Sequence, residues 1–296
     1  MRGLPITAVY TSPLQRAVES AKQVCAGLGI PQCPQVAEDL SEVHLPGWEG
    51  LTYQEVHQRY PEAYACWKQT PSLLSLPTAE GSYHPLCVLY HQAHCFWTRI
   101  LTQHKGETVL LVAHSGTIRA LISTAVGVDL DRYSQFQQSN CGISVVRFPE
   151  GEVRACLHSF NQTTHLGESL PKLKEGKRGL RLLLCPANDS LSYLSAPLAW
   201  NGLDMFLTST VPDTTSFLQE LQREISIWQD VADLEPNVLT VLMLAPSALI
   251  VAFLAATFAL KSVHIRGMSV IHCPHKSQAP ILQSFNIALE SLPAST

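Results

Sequence analysis

Arg16, Glu42, Glu49 and His114 are the side chains whose sequence surroundings could support chemistry on an anion. His114 follows the apolar, β-branched run Val109–Val112 and opens a tight polar turn, His114-Ser115-Gly116. Thr117–Val126 then carries helical apolar spacing. A strand that runs through such a turn into a helix aims backbone N–H groups at one place, and a helix N-terminus favours an anion there. A histidine beside that place can add a charge-assisted hydrogen bond. Taken alone, the segment is read equally well as a histidine that merely finishes a strand. The segments that precede it decide between the two readings.

Two further elements must bring the other residues to the same surface. Ile6–Tyr10 reads as a strand, and the helix after it runs to about Gly27. Ser12 is the expected N-cap and Pro13 the first helical residue, so Arg16 projects from the first turn near the strand ends. Leu40–Leu51, LSEVHLPGWEGL, reads as a loop holding Glu42 and Glu49 ahead of a helix over Tyr53–Tyr60.

In chain order, S-P-L-x-R-A, L-x-E-x-x-x-x-G-W-E-G and V-A-H-S-G resemble the histidine phosphatase superfamily, the phosphoglycerate mutase-like enzymes. The resemblance implies a pocket in which one histidine attacks phosphorus. A second histidine and two arginines neutralise the phosphoryl oxygens there, and a carboxylic acid protonates the leaving oxygen. Carried over by motif, Arg16 is a phosphate-binding arginine, His114 the second histidine and Glu42 the proton donor. Ser115 and Gly116 complete the phosphate turn, with Ser115 where many members have glycine. Such chemistry needs positive charge around three spreading oxygens and an acid of raised pKa for a poor alkoxide leaving group. No cofactor or metal is implied.

One part of the family pattern does not occur in these residues. The nucleophile of the family lies in an Arg-His-Gly triplet, and no arginine of this chain is followed by histidine. The expectation is an N-terminally truncated phosphatase, inactive as this chain, rather than a true pseudoenzyme. Gln138–Val145, QSNCGISV, with Asn161-Gln162-Thr163 and the basic stretch Lys172–Arg178, further resembles the cyanobacterial and plant two-domain branch that includes 2-carboxy-arabinitol-1-phosphate phosphatases.

The 296 residues leave room for two modest domains, and a net charge of −4 with 46% hydrophobic residues suits ordinary globular units. Basic residues are spread too thinly for a nucleic-acid surface. Nine cysteines form no C-x-x-C pair and read as reduced thiols of a cytoplasmic protein. His91 and His94 could share a helix face, yet no third ligand is near in sequence for a metal. Met1–Gly3 leads straight into the first strand, without the pattern of a cleavable signal peptide.

The second half reads as a worn copy of the first. Thr240–Leu260 aligns without gaps on Thr108–Val128, with Pro246 at His114's place and Val251 at Arg119's. Phe206-Leu207-Thr208-Ser209 echoes Val9-Tyr10-Thr11-Ser12, and Asp213 falls at Arg16's place. Leu180–Cys185 resembles the family's first strand but runs into Pro186-Ala187-Asn188. The alignment also resolves the uncharged stretch Val238–Leu260, which is long enough for a membrane span. It splits into strand Val241–Leu244, turn Ala245–Ser247 and buried helix Ala248–Leu260.

The expected architecture is therefore α/β, a three-layer α/β/α phosphoglycerate mutase-like unit missing its first strand, followed by a degenerate second copy. The expected boundaries are 1–160 for the phosphatase domain, 161–179 for a linker and 180–296 for the copy. The expected partner is a small phosphorylated metabolite, hydrolysed through a phosphohistidine in the complete form. The alternatives are a non-catalytic binding or scaffolding pseudophosphatase and a phosphoglycerate mutase.

Overall fold

The protein is described by a computed structural model covering residues 3–174, 178–187, 202–209, 211, 213–235, 237–275 and 278–288. Asn188, and residues 175–177 of the basic stretch, lie outside the described residues. The chain is mixed α/β and divides into two compact units, residues 1–125 with 129–134, and residues 126–128 with 135–296.

In the first unit, β1 (Ile6–Thr11) lies between β2 (Gln35–Val36) and the later strand β5 (Thr108–Val112), all parallel. A small antiparallel hairpin, β3 (Leu76–Thr78) with β4 (Gly81–Tyr83), stands apart from that sheet. Helix α1 (Gln15–Leu28) buries Ala17, Ala21 and Cys25, four residues apart, and these small side chains let it approach β1 and β5 closely. Gly29 ends α1 in the left-handed conformation, its N–H returning to Ala26 and Cys25 carbonyls.

Short helices α2 (Tyr53–Arg59) and α3 (Pro61–Gln69) follow, the first opened by a reciprocal Thr52–Glu55 capping box. The long helix α4 (Pro85–Gln103) buries Leu86, Leu89, Tyr90, Ala93, Phe96 and Ile100 along one stripe. Their cluster includes Ala8, Tyr10, Leu40 and Tyr133. Truncating a fully buried ring such as Phe96 to alanine costs about 3–5 kcal/mol. Helix α5 (Ser115–Val126) begins two residues earlier than its apolar spacing suggests, because the turn itself is helical from Ser115.

Among the described residues the second unit holds a seven-stranded sheet of order β6-β7-β12-β11-β8-β10-β9. Its strands are β6 (Ile143–Arg147), β7 (Cys156–Gln162), β8 (Leu180–Pro186), β9 (Met205–Thr208), β10 (Leu239–Ala245), β11 (Met268–Cys273) and β12 (Ile281–Ile287). β8, buried at every position, runs parallel to β10 and antiparallel to β11. Helix α6 (Thr214–Ala232) precedes β10, and α7 (Ser247–Phe258) follows it after the turn at Pro246. No described helix is long and apolar enough to cross a membrane.

The compact units do not divide at residue 160. β6 and β7 belong with the later strands because Phe160 pairs with Phe285, and the Ser284 hydroxyl donates to the Phe160 carbonyl at 2.8 Å. Ser159-Phe160-Asn161 of β7 and Ser284-Phe285-Asn286 of β12 share a conformation as well as a sequence. Both asparagines are left-handed, at φ 49° and 59°. Each Oδ1 accepts a backbone N–H from the turn opening the neighbouring strand, from Ser139 in one case and from Arg266 and Gly267 in the other.

Candidate functional site

The site residues all lie in the first unit, at the ends of β1 and β5. Ser12, fully buried, donates its N–H to the Val112 carbonyl at 3.1 Å, which ties the two strand ends together. Leu14, not Ser12, is the N-cap of α1; the Ser12 hydroxyl accepts from the Leu14 N–H at 3.3 Å and meets His114 Nε2 at 2.7 Å. The serine thus orients the imidazole as well as the chain turn. The first helical bonds run from the Ala17 and Val18 N–H groups to the Leu14 carbonyl, so the helix starts later than a cap at Ser12 would give.

His114 is 7% exposed, and its carbonyl accepts the Ile118 N–H at 2.8 Å as α5 begins. Burial and then the Arg16 guanidinium push its pKa down from 6.5 to about 4. The imidazole is therefore neutral at pH 7, and a dianion placed between His114 and Arg16 would favour its protonation. Arg16 stands exposed in the first turn of α1 and acts electrostatically on His114 and Glu42 alike.

Glu42 reaches the same place from the loop. Leu40, buried in the main cluster, and Trp48, packed with Val56, Leu74 and Leu76, anchor the chain on either side of it. The Thr117 hydroxyl donates to the Ser41 carbonyl at 2.7 Å and fastens that loop to α5. Glu42 Oε1 accepts the Val43 N–H at 3.1 Å, and Oε2 lies 3.8 Å from His114 Nδ1. Desolvation raises the Glu42 pKa, against the opposing pull of the Val43 N–H and of Arg119 and Arg16. A carboxyl of raised pKa beside an anion site is what protonating an alkoxide requires.

Gly116 makes the approach possible. A Cβ there would stand 2.7 Å from Glu42 Oε1 and 3.1 Å from the Tyr133 hydroxyl, so only glycine lets the acid lie against the start of α5. Ser115 precedes it as the first residue of the helix. Glu49, in contrast, pairs with His44 at 2.9 Å with both side chains more than half exposed. Among the described residues no cluster of three or more His, Cys, Asp or Glu could hold a metal ion, and His91 faces Cys95 at 3.5 Å on the exposed side of α4.

The sequence reading overlooked Arg119 and Tyr133. Arg119 stacks its guanidinium 4.0 Å from the centre of the Tyr133 ring, behind Glu42. The signal available was spacing: Arg119 lies five residues after His114, on the helix that His114 leads into.

The ordered motifs, the strand-turn-helix carrying His114 and the acid of raised pKa facing it agree with the resemblance to the phosphoglycerate mutase-like enzymes. The chain belongs to the histidine phosphatase superfamily (branch 1), whose profile matches residues 1–161. It is 33% identical over 181 residues to the 2-carboxy-D-arabinitol-1-phosphatase of Triticum aestivum, covering 60% of this chain and 35% of that protein. It is 27% identical over 164 residues to phosphoserine phosphatase 1 of Hydrogenobacter thermophilus, covering 55% of this chain and 74% of that one. The match to the wheat protein thus spans about a third of its length. A solved structure, Bacillus stearothermophilus YhfR, is 28% identical, with a TM-score of 0.46 over 52% of this chain and 73% of that chain.

Proposed function

We propose that this chain carries the phosphate-binding and proton-donating part of a histidine phosphatase site acting on a small phosphorylated metabolite. The observation that carries the reading is the meeting of Glu42 with His114 at 3.8 Å, inside the field of Arg16. His114 and Arg16 hold the phosphoryl oxygens, with the Ser115 and Gly116 backbone at the helix N-terminus. Glu42 acts as acid towards the leaving alkoxide and then as base towards the attacking water. The nucleophile of the full reaction is the histidine of an Arg-His-Gly segment, which residues 1–296 do not contain, so these residues by themselves bind phosphate and do not turn it over. The relatives that are named as phosphatases support hydrolysis over a mutase or a scaffold.

Two measurements test this. Titration of the chain with inorganic phosphate should show saturable binding that His114→Ala and Arg16→Ala each weaken. Joining an apolar strand followed by Arg-His-Gly ahead of Met1 should create turnover of p-nitrophenyl phosphate and of phosphoglycerates. Failure of phosphate to bind, or turnover by the unextended chain, would overturn the reading.

A further inference from the structure

Glu42 has a second set of neighbours on the side away from His114. The point above Gly116 that a Cβ would occupy is crowded by Glu42 Oε1 at 2.7 Å and by the Tyr133 hydroxyl at 3.1 Å, so both oxygens border one small space. The Tyr133 side chain is 2% exposed, and its hydroxyl has no hydrogen-bond partner. The Arg119 guanidinium lies 4.0 Å over the ring, with Nε buried and likewise without a partner. Two buried donors without acceptors, one of them cationic, are costly features. They adjoin the one carboxyl whose charge must change during the proposed reaction.

We propose that Tyr133 and Arg119 are positioning residues for Glu42, forming a catch that holds its carboxylate once the proton has left. This rests on the assignment of Glu42 as the acid. In the protonated state Glu42 faces His114 and the phosphate place, and the Tyr133 hydroxyl waits unpaired. When the Glu42 O–H proton passes to the leaving oxygen, the negative charge stays on the carboxylate. A small rotation brings an oxygen within reach of the Tyr133 O–H, which donates to it. Arg119, stacked on the ring face, makes that phenol a stronger donor and adds its own attraction. The groups acting on Glu42 are Arg16 from α1, His114 from the turn after β5, Arg119 from α5, and Tyr133 from the turn after α5, with Tyr53 of α2 in turn acting on Tyr133. Arg119 opposes the effect of burial on Glu42, in keeping with a carboxylate that is tolerated there.

The test reads Glu42 itself and needs no turnover. Carboxyl-labelled glutamate in the full chain, with the Glu42 signal assigned by its loss in Glu42→Gln, gives the titration of that side chain by NMR. Tyr133→Phe and Arg119→Met should each shift it upward, and Arg119→Lys should restore most of the loss. A purely structural Tyr133 makes the opposite forecast. Removing an unpartnered buried hydroxyl would leave the Glu42 titration in place and leave folding unharmed or improved. An unmoved titration in Tyr133→Phe overturns the proposal, whatever Arg119→Met does to folding. Phosphate titration of the same variants separates this outcome from the larger reading. If wild type binds no phosphate while the Glu42 titration still moves, the function fails and the catch stands.

Discussion

At the end of β5, Ser12 donates its N–H to Val112 and Ile118 returns its N–H to the carbonyl of His114. At the end of β10, Ser209 donates to Leu244 at 2.9 Å and Ile250 returns to Pro246 at 3.2 Å. Aligned without gaps, α5 and α7 even start and stop at matching positions. The side chains on this shared backbone plan go separate ways. Arg16 projects a cation towards His114, whereas Asp213, at its aligned place, caps α6 by accepting the Ser216 N–H at 2.9 Å. The Ser12 hydroxyl meets an imidazole, whereas the Ser209 hydroxyl donates to Glu220 at 2.6 Å. Gly116 leaves room for an acid, and Ala248 fills the aligned position. The apolar strand and the following helix fix the backbone, and a handful of side chains decide whether an anion is welcome.

The largest expected effect sharpens that contrast. In the form extended with an Arg-His-Gly strand, His114→Ala and Arg16→Ala should each lower kcat on the order of 10²-fold or more on every substrate, through lost stabilisation of charge in the transition state. Glu42→Gln should slow alkyl phosphates far more than p-nitrophenyl phosphate, whose leaving group needs little protonation. Substitution of Pro246 or Asp213 should leave both rates unchanged. Equal losses on both substrate types for Glu42→Gln would remove it as the acid and make Glu49 the next residue to test.

Acidity gives the next effect. The folded His114 pKa lies below its ordinary value, so its contribution to stability is full above pH 6.5 and is lost as pH falls towards about 4. Unfolding free energies from denaturant titrations between pH 7 and 4 should fall more steeply in wild type than in His114→Gln, by no more than about 3 kcal/mol. Glu42, raised, contributes in the opposite sense and favours the acid side. At the β10 end Pro246 stands in place of the histidine. A His114→Gln variant with the full wild-type slope would break the comparison.

Smaller effects follow at the helix starts. Gly116→Ala should cost about 1–3 kcal/mol by forcing Glu42 and Tyr133 aside, and phosphate affinity should change with it. Ala248→Gly should cost at most about 1 kcal/mol, from helix propensity alone. Asp213→Ala should cost about 1 kcal/mol through the lost cap of α6, visible in thermal unfolding and absent from phosphate binding.

The sequence displayed the parts of the molecule that are local. The β5–α5 segment was legible because Val109–Val112 alternates with nothing polar before His114. The split of Val238–Leu260 was legible because Pro246 suits a turn and not a helix interior. Partners distant in sequence were not legible. Nothing in Cys156–Gln162 announces that β7 pairs with β12, so the compact units part elsewhere than the family match, which ends at residue 161. Arg119 and Tyr133 looked like an ordinary polar helix position and a core aromatic, since the cue that ties them to Glu42 is the crowding over Gly116.

The pairing of β7 with β12 also sets a timetable. Phe160 and Ser284, which share a hydrogen bond across that seam, are 124 residues apart. A ribosome adding about 5–20 residues per second reaches the second of them some 6–25 s after the first. The β6–β7 hairpin is complete early, and its outer row of N–H and C=O groups then waits, open to any other strand, until β12 emerges. Slowing translation between the two strands should raise the yield lost to aggregates, and a chaperone that covers extended segments should recover it.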